Sequence, residues 1–295
     1  MTYIQAALLG LIQGLTEFLP VSSSGHLAIF KNIFGLSDVG ITFDIFLHVG
    51  TLIAVFVVYY KDIWKLIKSA VYIIGCLCFN LYAVIRNIPI RYDEDKVPYK
   101  RVISNAYRRF VLMAVFSTIP VAIVGFLFED FIEDVSQGLL VPGICLLITG
   151  VVLLLSEALP GGNKTAKNMS PLDAIIIGVC QACAVFPGIS RSGSTISASL
   201  MTGLNREFAV KYSFILSIPA ILGAALKSCL DIASGEVVVE TGEIGMYVLG
   251  MAIAAVVGFI AIKWLLNVVK KRRFKWFALY CFAMGLFAII AGFTL

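Results

Sequence analysis

The sequence predicts an all-α, polytopic membrane protein, and three observations carry that expectation. Of 295 residues, 60% are hydrophobic and only 14% charged, with a mean hydropathy of +0.95; soluble domains carry roughly 25% charged residues. Several stretches reach the roughly 20 apolar residues that a bilayer crossing takes: Phe110–Phe128, Val135–Ser156, Ile244–Ile262 and Trp276–Leu295 contain no Asp, Glu, Lys or Arg. The connections between such stretches alternate in charge, as loops on opposite sides of a membrane do.

Taken in order, the elements follow from that alternation. Lys61–Lys68 contributes three lysines, and Arg86–Arg109 contributes seven basic residues. Both read as cytoplasmic, since Lys and Arg mark that side. Glu129–Asp134 holds four acids and no base, so it reads as outside. Lys164 and Lys167 return the chain inside, Asp231–Glu243 is acidic again, and Lys270–Lys275 is basic apart from Phe274. Six crossings satisfy the pattern, at about 43–60, 110–128, 135–156, 207–229, 245–266 and 276–295, with both termini outward. Ser69–Ile85 is uncharged but flanked by bases, and reads as an interfacial helix on the cytoplasmic side. Lys270–Arg273 is most simply a positive-inside anchor.

Two apolar segments, about 3–40 and 172–204, cannot cross without breaking the alternation, so each is expected to enter the membrane and return to the side it came from. Both are interrupted, at Pro20 and Gly25 and at Pro187, Gly188 and Gly193. Non-helical backbone at membrane depth requires protein or a watery cavity to satisfy it. The two segments also resemble each other: "GLIQGLTEFLPVSSSGHL" from Gly10 and "GVCQACAVFPGISRSGST" from Gly178 share G-x-x-Q, a proline, and S-x-S-G. Each is followed by three spans, and an odd number inverts the second half. The expectation is one membrane domain, 1–295, with an inverted repeat of about 1–156 and about 172–295. Binding sites of such folds lie where the broken helices meet.

The chemistry sits at the breaks. From Ala174 to Asn205 the one charge is Arg191, and from Met1 to Phe30 the one formal charge is Glu17. Intramembrane ionisable groups are costly and mark function. Each proline should end a helix and each S-x-S-G start the next, aiming free N–H groups and hydroxyls inward, an arrangement suited to anions. Arg191 adds a planar fork matched to phosphate oxygens. Gln13 and Glu17, four apart, share a helix face, and Ser22, Ser23, Ser24 and His26 follow the break. Small hydroxyl residues also line membrane helix contacts, so individual serines could serve as caps. His48 has only apolar neighbours in sequence and is assigned to packing, as are Cys180 and Cys183, a lone C-x-x-C without a second pair. Seven scattered cysteines suggest no disulfide frame, and the net charge of +5 sits in short loop clusters, which argues against nucleic-acid binding. With no base before Lys31, the N-terminus does not read as a cleaved signal.

"QGLTEFLPVSSSGH" and "PGISRSGST" resemble the two signature motifs of the undecaprenyl-diphosphate phosphatases, the bacitracin-resistance family, written as Glu-or-Gln, three residues, Glu, and as P-G-x-S-R-S-x-x-T. The similarity runs through most of the chain, with an extension around Cys76–Lys100 longer than the family leads one to expect. The resemblance implies hydrolysis of undecaprenyl diphosphate to undecaprenyl phosphate and phosphate, which regenerates the lipid carrier of peptidoglycan synthesis. It also implies a multi-pass protein of the bacterial cell membrane whose pocket opens outward. Carried onto this chain, the family's positions are Gln13, Glu17, Ser23, His26, Ser190, Arg191 and Thr195. Catalysis is then expected from Glu17, Ser23, His26 and Arg191, and substrate binding from Gln13, Ser22, Ser24, Ser190, Ser192 and Thr195. A divalent cation, Mg²⁺ or Ca²⁺, would use Glu17. Ser23 is the candidate nucleophile with His26 or Glu17 as base; direct attack by water is the alternative route. The expected partners are a polyprenyl diphosphate and membrane lipid, with a homodimer as the one assembly left open. A lipid flippase or anion transporter using the same site is the competing class.

Overall fold

A computed structural model describes all residues except 37–38, 40, 89–94, 129–130, 132–137, 236–241, 271–273 and 295, with the side chains of 41, 269 and 270 also set aside. Among the described residues the chain is all helical: α1 (Tyr3–Thr16), α2 (Ser23–Ile33), α3 (Ile41–Asn87), α4 (Ala106–Leu127), α5 (Leu140–Glu157), α6 (Pro171–Cys183), α7 (Arg191–Met201), α8 (Arg206–Ser234), α9 (Ile244–Lys270) and α10 (Phe274–Thr294). Six of these, α3, α4, α5, α8, α9 and α10, are long and apolar enough to cross a membrane. The other four have 14, 11, 13 and 11 residues, too short for the roughly 20 that a crossing takes. They form two pairs, α1–α2 and α6–α7, at the two interrupted segments.

The caps explain where these short helices begin. Thr2 and Gln5 form a capping box on α1, and Ser170 and Asp173 form another on α6, with Pro171 in the first turn. Ser22 caps α2 by accepting from Gly25 N, and Ser190 caps α7 by accepting from Gly193 N. These four residues occupy matching places in the two S-x-S-G motifs.

α9 packs along α3 and α1, α4 along α6, and α5 along α10. A large core of buried apolar residues spans α3, α4, α7, α8 and α10, including Phe18, Phe110, Tyr212, Phe214 and Phe274. The basic connections meet at one end: Arg109 Nε donates to Met169 O at 2.8 Å, Arg206 Nη2 to Leu159 O at 2.5 Å, and Glu157 accepts from the backbone of Phe274 at 2.6 Å. Lys211 and Tyr107 both reach Asp62 there.

α3 is two helices joined across a kink at Tyr59 (φ −109°, ψ 21°). The first part ends where the first span was expected to end, and the second runs on through 69–85 to Asn87. The acids of 129–134, the acids of 236–241 and most of the basic run 270–273 lie outside the described residues.

Candidate functional site

The two helix breaks meet backbone to backbone. A Cβ on Gly25 would lie 2.9 Å from Gly188 Cα, and one on Gly188, which has φ +99°, would lie 2.3 Å from Pro142 O. Only glycine permits this approach. The contact is stitched by Gly188 N donating to Ser24 Oγ at 3.4 Å and Ser192 Oγ to Leu19 O at 3.1 Å, and Ser190 N is held from α5 by Thr149 Oγ1 at 3.0 Å. Ser22 has φ 69° and ψ 98°, the sole non-glycine with positive φ among the described residues. Such backbone strain costs about 1–3 kcal/mol and collects at functional sites.

Beside the junction lies a cavity of about 360 Å³. Its polar wall is Glu17, Ser22, Ser23 and Ser24 from the first break, Gln181, Ser190 and Arg191 from the second, and Asp44 and His48 from α3. Glu17 is the hub. Its Oε1 accepts from Arg191 Nη2, and its Oε2 accepts from Ser23 Oγ at 2.5 Å and Gln13 Nε2 at 2.9 Å. His48 Nε2 stands 3.5 Å from the same oxygen, and the ring is oriented by its Nδ1 donating to Asp44 O at 2.7 Å. The lone charge of each segment is thus the counter-ion of the other, across 174 positions of sequence. A buried charge without a partner would cost several kcal/mol.

Two groups on the wall have hydrogen-bonding capacity left over. Arg191 Nη1 has no protein partner, and neither atom of the Gln181 amide has one, although Gln181 is only 1% exposed. Native interiors seldom leave such groups unpaired, and each unpaired group asks for an explanation. Both residues belong to the cavity wall, so a polar ligand there is one such explanation.

The residues expected from sequence divide into three sets. Glu17, Ser22, Ser23, Ser24, Ser190 and Arg191 line the cavity. Gln13 stands behind it, fully buried, holding Glu17. His26, Ser192 and Thr195 lie elsewhere. His26 is 1% exposed and turned toward α10, with Nε2 2.8 Å from Tyr280 Oη, Nδ1 2.7 Å from Ser22 O, and its ring stacked on Tyr280. Thr195 faces α8, bonded to Ser213 at 2.6 Å. Sequence reasoning missed His48, whose assignment to packing the structure corrects, and also Asp44 and Gln181. The signal for Gln181 was present, since it repeats Gln13 in the second motif; Asp44 and His48, four apart in an apolar span, were also ionisable groups at membrane depth.

For the divalent cation that the family resemblance implies, the donor set is thin. Among the described residues no group of three or more His, Cys, Asp or Glu is arranged to hold a metal, and both oxygens of Glu17 already accept from the protein. These residues do not by themselves make a metal site; a cation here would have to take most of its ligands from phosphate oxygens, the usual habit of Mg²⁺. Cys180 and Cys183 are free thiols.

Fold and site together define a multi-pass membrane protein with a buried polar cavity at two abutting helix breaks. The family model described as "Bacitracin resistance protein BacA" matches residues 6–287, and the chain belongs to that family. Curated relatives align end to end. The chain is 40% identical over 295 residues to the "Undecaprenyl-diphosphatase" of Methanobrevibacter smithii, covering 100% of this chain and 99% of the relative. It is 40% identical over 293 residues to that of Methanosphaera stadtmanae, with 99% of each covered. To that of Alkaliphilus metalliredigens it is 40% identical over 297 residues, with 98% of each covered.

Proposed function

We propose that this protein hydrolyses undecaprenyl diphosphate to undecaprenyl phosphate and inorganic phosphate, the activity its relatives are named for. The observation that carries the reading is the arrangement around Glu17: a serine hydroxyl 2.5 Å from its carboxylate, an arginine with a free Nη1, and an unpaired buried amide, all on one cavity wall. Arg191 Nη1, the Gln181 amide and the N-termini of α2 and α7 would hold the phosphoryl oxygens as charge shifts toward the leaving group. Ser23 Oγ would attack the terminal phosphorus, Glu17 Oε2 would take its proton, and the bond to the bridging oxygen would break to release undecaprenyl phosphate. Water would then hydrolyse the phosphoserine. The short Ser23–Glu17 hydrogen bond supports Glu17 as the base, whereas both ring nitrogens of His26 are engaged away from the cavity. A divalent cation carried in by the diphosphate would supply neutralisation of its charge.

What supports an inverted repeat, with α1–α2 and α6–α7 as re-entrant pairs, is the packing. Exchanging the first five helices for the last five maps the contact of α1 with α9 onto that of α6 with α4, and leaves the contacts of α3 with α8 and of α5 with α10 unchanged in kind. The isoprenoid tail has a candidate path. A cleft of about 510 Å³ between α3, α4 and α8, apolar apart from Thr118, is lined by Ala122 and Leu222, the sequence neighbours of Val121 and Ile221 on the polar cavity. The active cavity would open outward across the cell membrane, opposite the basic end of the bundle.

The deciding assay is phosphate release from undecaprenyl diphosphate by purified wild type and by Glu17→Ala. Release by the wild type and none by the variant is expected. Lipid movement across vesicles without phosphate release would replace hydrolysis with transport.

A further inference from the structure

The two helix breaks are built alike but held differently. In the second, Ser190 caps α7 from an ordinary extended conformation (φ −70°, ψ 114°), and its carbonyl accepts from Ser194 N at 2.8 Å. Thr149 of α5 braces that turn, accepting from Ser190 N at 3.0 Å and donating to Gly188 O at 2.9 Å. In the first, Ser22 caps α2 at φ 69° and ψ 98°, a region that a side chain disfavours. The matching backbone bond there, from His26 N to Ser22 O, is stretched to 3.3 Å. The His26 ring reinforces it, with Nδ1 2.7 Å from the same oxygen. Ser194, the counterpart of His26 in the second motif, stands below an unstrained cap.

The partners of the ring fix its hydrogen. A carbonyl oxygen can only accept, so Nδ1 carries the hydrogen that reaches Ser22 O. Nε2, 2.8 Å from Tyr280 Oη, then accepts from that hydroxyl. Both partners are neutral groups, and the ring stacks on Tyr280 within 9° of parallel, buried between α2 and α10. The next residue of α10, Cys281, meets Pro20 O with its Sγ at 3.9 Å. α10 thus holds the first break on both sides of Val21, as α5 braces the second. The peptide gripped in this way is the one that leads into Ser23. The C=O and N–H of a trans peptide point in opposite directions. Fixing Ser22 O toward His26 therefore aims Ser23 N–H out of the N-terminus of α2, and fixes the origin of the side chain whose Oγ lies 2.5 Å from Glu17 Oε2.

We infer that His26 is a positioning residue and not the proton shuttle of the reaction. Its neutral ring, locked by Tyr280, clamps the strained Ser22 carbonyl and so sets Ser23 Oγ against Glu17. Tyr280 is a second positioning residue, acting through His26. The consequence for rate rests on the hydrolysis proposed above; the state of the ring does not.

Asparagine places an amide nitrogen where Nδ1 stands, and glutamine places one where Nε2 stands. His26→Asn should therefore lower kcat by only about 2- to 13-fold, the worth of one ordinary hydrogen bond. Its KM and the shape of its pH–rate profile should match the wild type. His26→Gln, which cannot reach Ser22 O, should fall roughly tenfold further, by the loss of the clamping bond. Tyr280→Phe keeps the stacked ring and should cost about 2- to 13-fold in the wild type. It should cost nothing more in His26→Asn, whose side chain is too short to reach Tyr280, because two residues that act as one unit are not additive. A shuttle at His26 predicts instead that Asn and Gln fail alike and that one limb of the pH–rate profile disappears. That result, or an equal Tyr280→Phe loss in both backgrounds, overturns the inference.

A second measurement needs no rate. The chain has two histidines, so in the untagged His48→Gln protein the imidazole nitrogen NMR spectrum belongs to His26 alone. At neutral pH it should show a hydrogen on Nδ1 and none on Nε2, and Tyr280→Phe should shift Nε2 toward the position of a free acceptor. A hydrogen on Nε2, or an imidazolium, overturns the clamp. A wild type that shows the expected ring but releases no phosphate would count against hydrolysis and leave the clamp standing.

Discussion

Replacing Gln181 with leucine should make the protein more stable and less active at once. The amide is buried at the cavity wall, and neither its nitrogen nor its oxygen has a protein partner. A buried polar group left unpaired costs about 1–3 kcal/mol, and an apolar replacement of similar shape removes that cost. Leucine keeps most of the volume, so little packing is lost. At about 2 °C per kcal/mol for a chain of this size, the unfolding midpoint should rise by about 2–6 °C. Turnover moves the other way. If the amide donates to a phosphoryl oxygen in the transition state, its loss removes a hydrogen bond to a charged group, about 1.5–3 kcal/mol, or about 10- to 150-fold in rate. Thermal unfolding in detergent and phosphate release at matched protein concentration read the two effects separately. A variant that melts lower and turns over normally would refute the reasoning, because the amide would then serve the fold and not the ligand.

Arg191→Lys should lose nearly as much phosphate release as Arg191→Ala, since an ammonium carries its three donors on one nitrogen and cannot span from Glu17 to the place where Nη1 offers its free donor; a lysine enzyme with most of the wild-type rate would remove the fork from the mechanism. Ser23→Ala should fall below detection while Ser22→Ala retains measurable activity, and a quench with substrate labelled in the terminal phosphate should leave label on Ser23. Absence of label with only a 10- to 150-fold Ser23→Ala defect would assign the attack to water, the hydroxyl being worth one charged hydrogen bond of about 1.5–3 kcal/mol. Single cysteines placed near residues 133 and 238, in a cysteine-free background, should react with an impermeant maleimide on intact cells, and one near residue 97 should not; the opposite labelling would invert the protein and its cavity.

The six spans, the two helix breaks and the lone charges Glu17 and Arg191 were legible from the chain alone, and for one reason: all three follow from local cost. A bilayer crossing needs a run of apolar residues, a proline and a glycine interrupt a helix wherever it is, and a charge at membrane depth demands a partner whatever the fold. The repeated S-x-S-G likewise marked its own helix starts, and the caps at Ser22 and Ser190 sit there. The kink at Tyr59 falls where the first span was expected to end, but the course of the second half of α3 was not legible, because it is set by α4 and segment 95–105 lying beside it. Nor could sequence say which side chains face the cavity. Successive residues of a helix point about 100° apart, so what a given residue faces depends on the rotation that packing imposes. His26 follows the serines closely, yet its ring meets Tyr280 on α10. His48 has only apolar neighbours along the chain, yet α3 turns it toward Glu17. Those orientations belong to the contacts of α2 with α5 and of α3 with α9 and α8, set by shape and burial between segments far apart in sequence, and only the assembled bundle contains them.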